Sequence, residues 1–320
     1  MSDFASRRLG GRFVNLHSDV DHGLRDVWRW SRSRQVAPWP AWIIDPPQPP
    51  PPRIGAGRIA ATFIGHASWL LQIGGVAVLI DPVWSPRASP LRFAGPKRVR
   101  APGQALEALP KVDLLLVSHN HYDHCDLATL QRVQARWAPP AVTSLGTGRL
   151  LAKAGLRALR EMDWWDSVEV AGLRVTYVPS QHFSARTLFD RNRALWGGFI
   201  IQAPDGATVY FAGDSGWCPH FSEIGRRFGM IDLALIPIGA YAPRWFMRTQ
   251  HMDPDEAVQA HLACGARASL AMHFGTFFGL TDEPIDEPAA LLEAAKARHG
   301  VAQDAFRVPG FGETRYYPAA

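Results

Sequence analysis

Ser118-His-Asn-His-Tyr-Asp-His-Cys-Asp126 packs three histidines and two aspartates into nine residues. Directly before it, Leu114-Leu-Leu-Val117 is a short apolar run of the kind that forms a buried strand. The cluster therefore sits where a strand runs out into a loop, the place where α/β proteins assemble their sites. In extended chain, residues two apart face the same way, so His119 and His121 can converge on one ion. A turn into helix after them sends Asp123 and His124 in other directions, toward a second ion beside the first. Imidazole with carboxylate suits zinc, with iron or manganese as alternatives.

Partners for this cluster recur downstream. His182 follows a strand ending at Pro179, Asp214 follows Val209-Tyr-Phe-Ala-Gly213, and His273 follows Leu270-Ala-Met272. Any one of these alone reads better as a surface residue or a hydrogen-bonded core group. Together with His119, His121, Asp123 and His124 they make seven ligands, enough for two ions sharing a carboxylate. The apolar runs that carry them are Ala61–Gly65, Ser68–Ile73, Val76–Ile80, Leu114–Val117, Leu173–Val178, Gly198–Gln202, Thr208–Ala212, Leu233–Ile236 and Ser269–Met272. Helices fall between them and after them: Asp253-Pro-Asp-Glu256 supplies an N-cap, a proline at N1 and a capping-box acid, and Glu287 to Arg298 ends at Gly300. This order predicts an α/β fold of two sheets flanked by helices.

The chain of 320 residues is 47% hydrophobic, so it can bury a large core. Its three cysteines, Cys125, Cys218 and Cys264, argue against a disulfide framework or a thiolate zinc site and fit a reducing compartment. No apolar stretch follows the first arginines, so no secretory signal is expected. Ile59 to Ile80 resembles a membrane span in hydropathy, but His66, Gln72 and Gly74-Gly75 make two strands and a hairpin the better reading. Residues 1–55 form an arm, and 56–320 the main domain. Within the arm, Ser18 is the expected N-cap of an amphipathic helix with Val20, Leu24 and Val27 on one face, and Pro46 to Pro52 forms an extended connector. This helix is expected to pack on the main domain, with contact to a membrane interface through Trp28 and Trp30 as the alternative. The net charge is +5 and mostly arginine, but nothing resembles a nucleic-acid module.

His119-Asn-His-Tyr-Asp-His124, with His182, Asp214 and His273 in this order, resembles the metallo-β-lactamase superfamily. That resemblance implies an αββα sandwich with an N-terminal extension and a site between the tops of its sheets. It assigns His119, His121 and His182 to one metal, Asp123, His124 and His273 to the other, and Asp214 to both. Asp81 matches the superfamily's early aspartate, which supports ligand histidines from behind; His66 in Gly65-His-Ala-Ser68 is expected to pack or hydrogen-bond beneath the site. The strings FIGHASWLL, EMDWW, PSQHFSARTL, LALIPIGAYAPRWFM and QHMDPDEA are similar to the N-acylphosphatidylethanolamine-hydrolysing phospholipase D family, with a weaker echo in GRFVN near the start.

The resemblance implies a hydrolase with two divalent cations that cleaves a phosphodiester, releasing phosphatidic acid and an N-acylethanolamine. His251 would lie over the metals and act on substrate beside the catalytic Asp123. Arg186, Arg244 and Trp245 are weaker candidates for substrate contact, as are the cluster Arg92, Lys97 and Arg98 and the aromatic residues Trp84, Phe93, Phe246 and Phe278. The implied partner is a phospholipid at a membrane surface, and the implied location is the cytoplasm or the inner face of a membrane; a homodimer is compatible with the sequence. Two rivals remain: a lactonase or small-ester hydrolase of the same fold, which a closed polar pocket would favour, and a metal-binding scaffold without turnover.

Overall fold

The computed structural model describes residues 5–18 and 22–318. Two seven-stranded sheets face each other. The first runs Thr314–Pro318, Arg58–Gly65, Ser68–Ile73, Val76–Ile80, Leu114–Val117, Ala141–Ser144, Leu159–Met162. The second runs Ser167–Val170, Leu173–Val178, Gly198–Gln202, Thr208–Phe211, Leu233–Pro237, Ser269–Met272, Phe306–Arg307. Both carry the same pairing pattern: three antiparallel contacts followed by three parallel ones. Several antiparallel contacts are hairpins, such as the one at the Gly74-Gly75 turn, whereas each parallel step needs a crossover. Helices Leu127–Trp137, His220–Phe228 and Pro254–Cys264 supply three of those crossovers.

Period-two alternation decides what each strand buries. In Ser68–Ile73, Trp69, Leu71 and Ile73 enter the core between the sheets, while Leu70 faces outward to join Leu130 and Val133 of the helix Leu127–Trp137. The second sheet contributes Val175, Tyr177, Phe199, Ile201, Val209 and Phe211 to the same interior. The helix at Pro254 has the expected capping box, with Asp253 accepting from Glu256 N at 2.9 Å. No described helix is long and apolar enough to cross a membrane.

The arm departs from its expected outline. Its helix spans Leu24–Ser33 with Gly23 as N-cap, where the Asp26 carboxylate accepts from Gly23 N. Ser18 lies before it, and Val20 is outside the described residues. Trp30 stacks on Phe246 at 4.9 Å, and His22 stacks on the same ring at 4.1 Å. Further upstream, a hairpin of Arg7–Leu9 with Arg12–Val14 delivers Phe13 into the main hydrophobic core, where it is 1% exposed. Truncating so large a buried ring removes its contacts and leaves a cavity. Phe13→Ala should therefore lower stability by about 3–5 kcal/mol, measured as a fall in thermal midpoint; an unchanged midpoint would mean that the hairpin contributes nothing to the core.

Candidate metal centre

The site lies beyond the C-terminal ends of strands from both sheets. Three of its residues leave their strands with positive φ: His66 at 57°, Asp81 at 41° and His273 at 62°. Left-handed backbone costs a non-glycine residue about 1–3 kcal/mol and persists only where surrounding contacts impose it. Here His66 N donates to Thr276 Oγ1, Asp81 N to Leu116 O and His273 N to His66 O. Next to them Gly239 passes so close to His273 that a Cβ would lie 2.3 Å from the His273 carbonyl oxygen, so no side chain fits there.

Hydrogen bonds behind the cluster set the histidine tautomers. Asp81 accepts from Ser118 N at 2.7 Å, from Ser118 Oγ, and from His124 Nδ1 at 2.7 Å. Ser118 Oγ therefore accepts from His119 Nδ1 at 3.0 Å. His182 Nδ1 donates to the Gln250 carbonyl at 3.0 Å. In all three rings the Nδ1 proton is committed outward and Nε2 faces the cluster. His119 Nε2 lies 2.9 Å and His182 Nε2 3.2 Å from His121 Nδ1, so three ring nitrogens converge on one point. Asp214 Oδ2 is 3.6 Å from His182 Nε2 and 4.0 Å from His119 Nε2.

The same oxygen lies 3.1 Å from both His124 Nε2 and His273 Nε2, while Asp123 Oδ2 is 3.4 Å from His273 Nε2 and 3.7 Å from His124 Nε2. Asp214 thus stands between two donor groups. His66 joins the second group by proximity, and its Nε2 is 2.9 Å from Asp123 Oδ2 and donates to that carboxylate. Both groups hold their donor atoms within 4.8 Å of one another, a spacing that one cation can draw together.

Charge balance points the same way. Burial holds His119 and His251 well below the ordinary imidazole value, His121 at about 4 and His182 at about 3, so these rings are neutral donors at neutral pH. Burial opposes charge on His124 and His273 too, but Asp214 and Asp123 outweigh it and lift both, His273 to about 9. Burial would raise the carboxyls of Asp123 and Asp214; the facing histidines, His124 foremost, reverse this and hold both well below the usual range. Two buried carboxylates are thus neutralised by protons lying where cations would lie. Asp214 Oδ1 has no hydrogen-bond partner among the described residues. The donor set fits divalent metal, whose binding would displace those protons.

His251 stands beside the cluster, its ring 5.0 Å from that of His182 and 5.2 Å from that of His273, with Nδ1 unpartnered among the described residues. Over it opens a cleft of about 380 Å³, walled by Val27, Trp30, Phe183, Phe246, Met247 and Leu280. Three expected substrate contacts are placed elsewhere. Arg186 donates from Nη1 to the carbonyls of Asn120 and Cys125, both at 2.8 Å, so it clamps the histidine loop. Arg244 donates to the His251 carbonyl at 2.9 Å and pairs with Glu256 at 2.7 Å. Trp245 lies outside the cleft wall, 43% exposed, with Arg29 over its ring at 4.8 Å. Of the aromatic candidates only Phe246 lines the cleft: Phe93 is 80% exposed, Trp84 packs outside the first sheet, and Phe278 meets Trp39. Arg98 is buried, donating to the Val83 carbonyl at 2.8 Å. Sequence reasoning missed the arm's Val27 and Trp30 as cleft walls, and Gln250 as the partner of His182.

Residues 77–274 match the family model described as a beta-lactamase superfamily domain. The chain is 39% identical over 269 residues to N-acyl-phosphatidylethanolamine-hydrolyzing phospholipase D 1 of Caenorhabditis elegans, covering 79% of this chain and 74% of that protein. It is 40% identical over 327 residues to an uncharacterized protein of Mycobacterium tuberculosis, covering 96% and 85%. Among solved structures, Igni18, a metallo hydrolase from Ignicoccus hospitalis, superposes with a TM-score of 0.62 at 25% identity over 82% of this chain and 100% of that one. The αββα sandwich, the clustered His and Asp donors and these matches together place the chain in the metallo-β-lactamase superfamily, as a metal-dependent hydrolase.

Proposed function

We propose that this protein is a phosphodiesterase of phospholipase D type that hydrolyses N-acylphosphatidylethanolamine to phosphatidic acid and an N-acylethanolamine. The observation that carries this reading is an apolar cleft opening directly onto the His/Asp cluster, in a chain whose relative in Caenorhabditis elegans bears that activity in its name. A small polar substrate has no use for walls of Val27, Trp30, Phe246 and Leu280, whereas an acyl chain does.

His119, His121 and His182 would hold one divalent cation, Asp123, His124 and His273 a second, and Asp214 both, with zinc the first expectation and iron or manganese the alternatives. Bound there, the pair would supply positive charge to polarise a phosphoryl oxygen and lower the pKa of water toward neutrality. The chain's own residues do the rest. The apolar walls orient the lipid and exclude bulk water. Asp123, pinned by His66, can orient the attacking water and pass on its proton. As the new P–O bond forms, the bond to the ethanolamide oxygen breaks, and that oxygen must gain a proton. His251, at the cleft wall with Nδ1 uncommitted, is positioned to hydrogen-bond the phosphate or this leaving oxygen. Attachment to a membrane is supported by the exposed Trp28, 60% accessible, among Arg25, Arg29 and Arg32 of the arm helix. Each basic residue near an anionic leaflet contributes on the order of 1 kcal/mol.

Protein purified without added metal should carry close to two equivalents by elemental analysis. Asp214→Asn should be the most damaging ligand change, because one amide replaces a carboxylate common to both ions. A single equivalent that survives Asp123→Ala would remove the dinuclear reading. His251→Ala should lower turnover by about 10²–10⁴-fold at unchanged metal content; loss of metal together with activity would make His251 a ligand or a support. Hydrolysis of N-acylphosphatidylethanolamine in micelles should exceed hydrolysis of a soluble nitrophenyl phosphodiester. Equal rates on the two substrates would favour a small-ester hydrolase.

A further inference from the structure

His182 reaches the cluster from a loop, and its main-chain N–H and C=O belong to no strand ladder. Both are taken up by a single side chain from the far end of the sequence. Asn15 Nδ2 donates to the His182 carbonyl at 2.8 Å, and His182 N donates to Asn15 Oδ1 at 3.1 Å. A carboxamide carries a donor and an acceptor side by side, so it can satisfy one residue's two backbone groups as a neighbouring strand would. The indole N–H of Trp196, itself fully buried, is shared between Asn15 Oδ1 and the Ser180 carbonyl, both at 3.1 Å, and so favours an oxygen at this position of the amide.

Asn15 is in turn held in place. It follows the hairpin strand Arg12–Val14, whose Phe13 is anchored in the core and donates through its N–H to the Asn192 carbonyl at 2.8 Å. Asn192 N donates to the Ser184 carbonyl at 2.7 Å, two residues beyond His182. With His182 Nδ1 bonded to Gln250 O, the histidine is fixed at three points, two of them supplied by the arm. We infer that Asn15 is a positioning residue of the metal centre, which sets the place of His182 Nε2 through the main chain, and that the arm is part of the site. This inference rests on the assignment of His182 as a ligand.

The test uses full-length protein loaded with zinc and follows release of each equivalent to a chelator, alongside the visible spectrum after cobalt substitution. Asn15→Ala should speed release of one equivalent by about 10–100-fold, the usual cost of losing a partner behind a ligand, and shift the cobalt spectrum. The other equivalent should leave at the wild-type rate. Asn15→Asp, which keeps the acceptor for His182 N and Trp196 but turns a second oxygen on the His182 carbonyl, should release that equivalent at least as fast as Asn15→Ala. Release of both equivalents at wild-type rates would overturn the inference. So would equal acceleration of both with a lowered thermal midpoint, which marks general loosening. If wild type holds a single ion, release of that ion is the readout and the same factor decides. A wild-type protein that takes up no zinc would overturn the ligand assignment and this inference together.

Discussion

Asp81 is fully buried, and a carboxylate without water must find its donors in the protein. It finds Ser118 N, Ser118 Oγ and His124 Nδ1. These bonds tie the end of Val76–Ile80 to the end of the neighbouring strand Leu114–Val117 and fix how the chain leaves it. Through Ser118 Oγ the same carboxylate orients His119, and directly it orients His124, so one buried charge sets rings in both donor groups. The left-handed backbone at Asp81 is the cost of turning that carboxylate back under the loop.

Around this centre a pattern recurs in which the segments that carry its histidines are gripped by their main chain. Arg186 holds the carbonyls of Asn120 and Cys125, Arg244 holds that of His251, and Asn15 holds both polar groups of His182. Loops that carry function have no ladder to satisfy their backbone, so side chains must do it. Arg186 and Arg244, candidates for substrate contact by sequence, make main-chain bonds of this kind.

Much of the frame was legible in the sequence because apolar strands bounded by Gly and Asp leave a plain signal, and Ser68–Ile73, Leu173–Val178 and Gly198–Gln202 fall where their patterns end. The site was legible for a related reason: histidines and aspartates at the ends of apolar runs are conspicuous. Leu159-Arg-Glu-Met162 and Ser167-Val-Glu-Val170 were not, since charged side chains on exposed faces of edge strands break the apolar run. Ala141–Ser144 is buried throughout, but Thr143 and Ser144 conceal it. The contacts of Arg186, Arg244 and Asn15 leave no trace in sequence, because a carbonyl has no letter and Asn15 meets His182 across 167 positions.

The order in which the first sheet is assembled follows from its outermost strand. Arg58–Gly65 is paired on one side by Ser68–Ile73, joined to it through His66-Ala67, but on the other by Thr314–Pro318, from the opposite end of the chain. Until that late segment has been synthesised, the N–H and C=O groups along one side of Arg58–Gly65 stay open, in a strand that is apolar or small after Arg58. An open, apolar edge invites pairing with another molecule. Thr314–Pro318 therefore works as a seal over that edge as much as a structural strand.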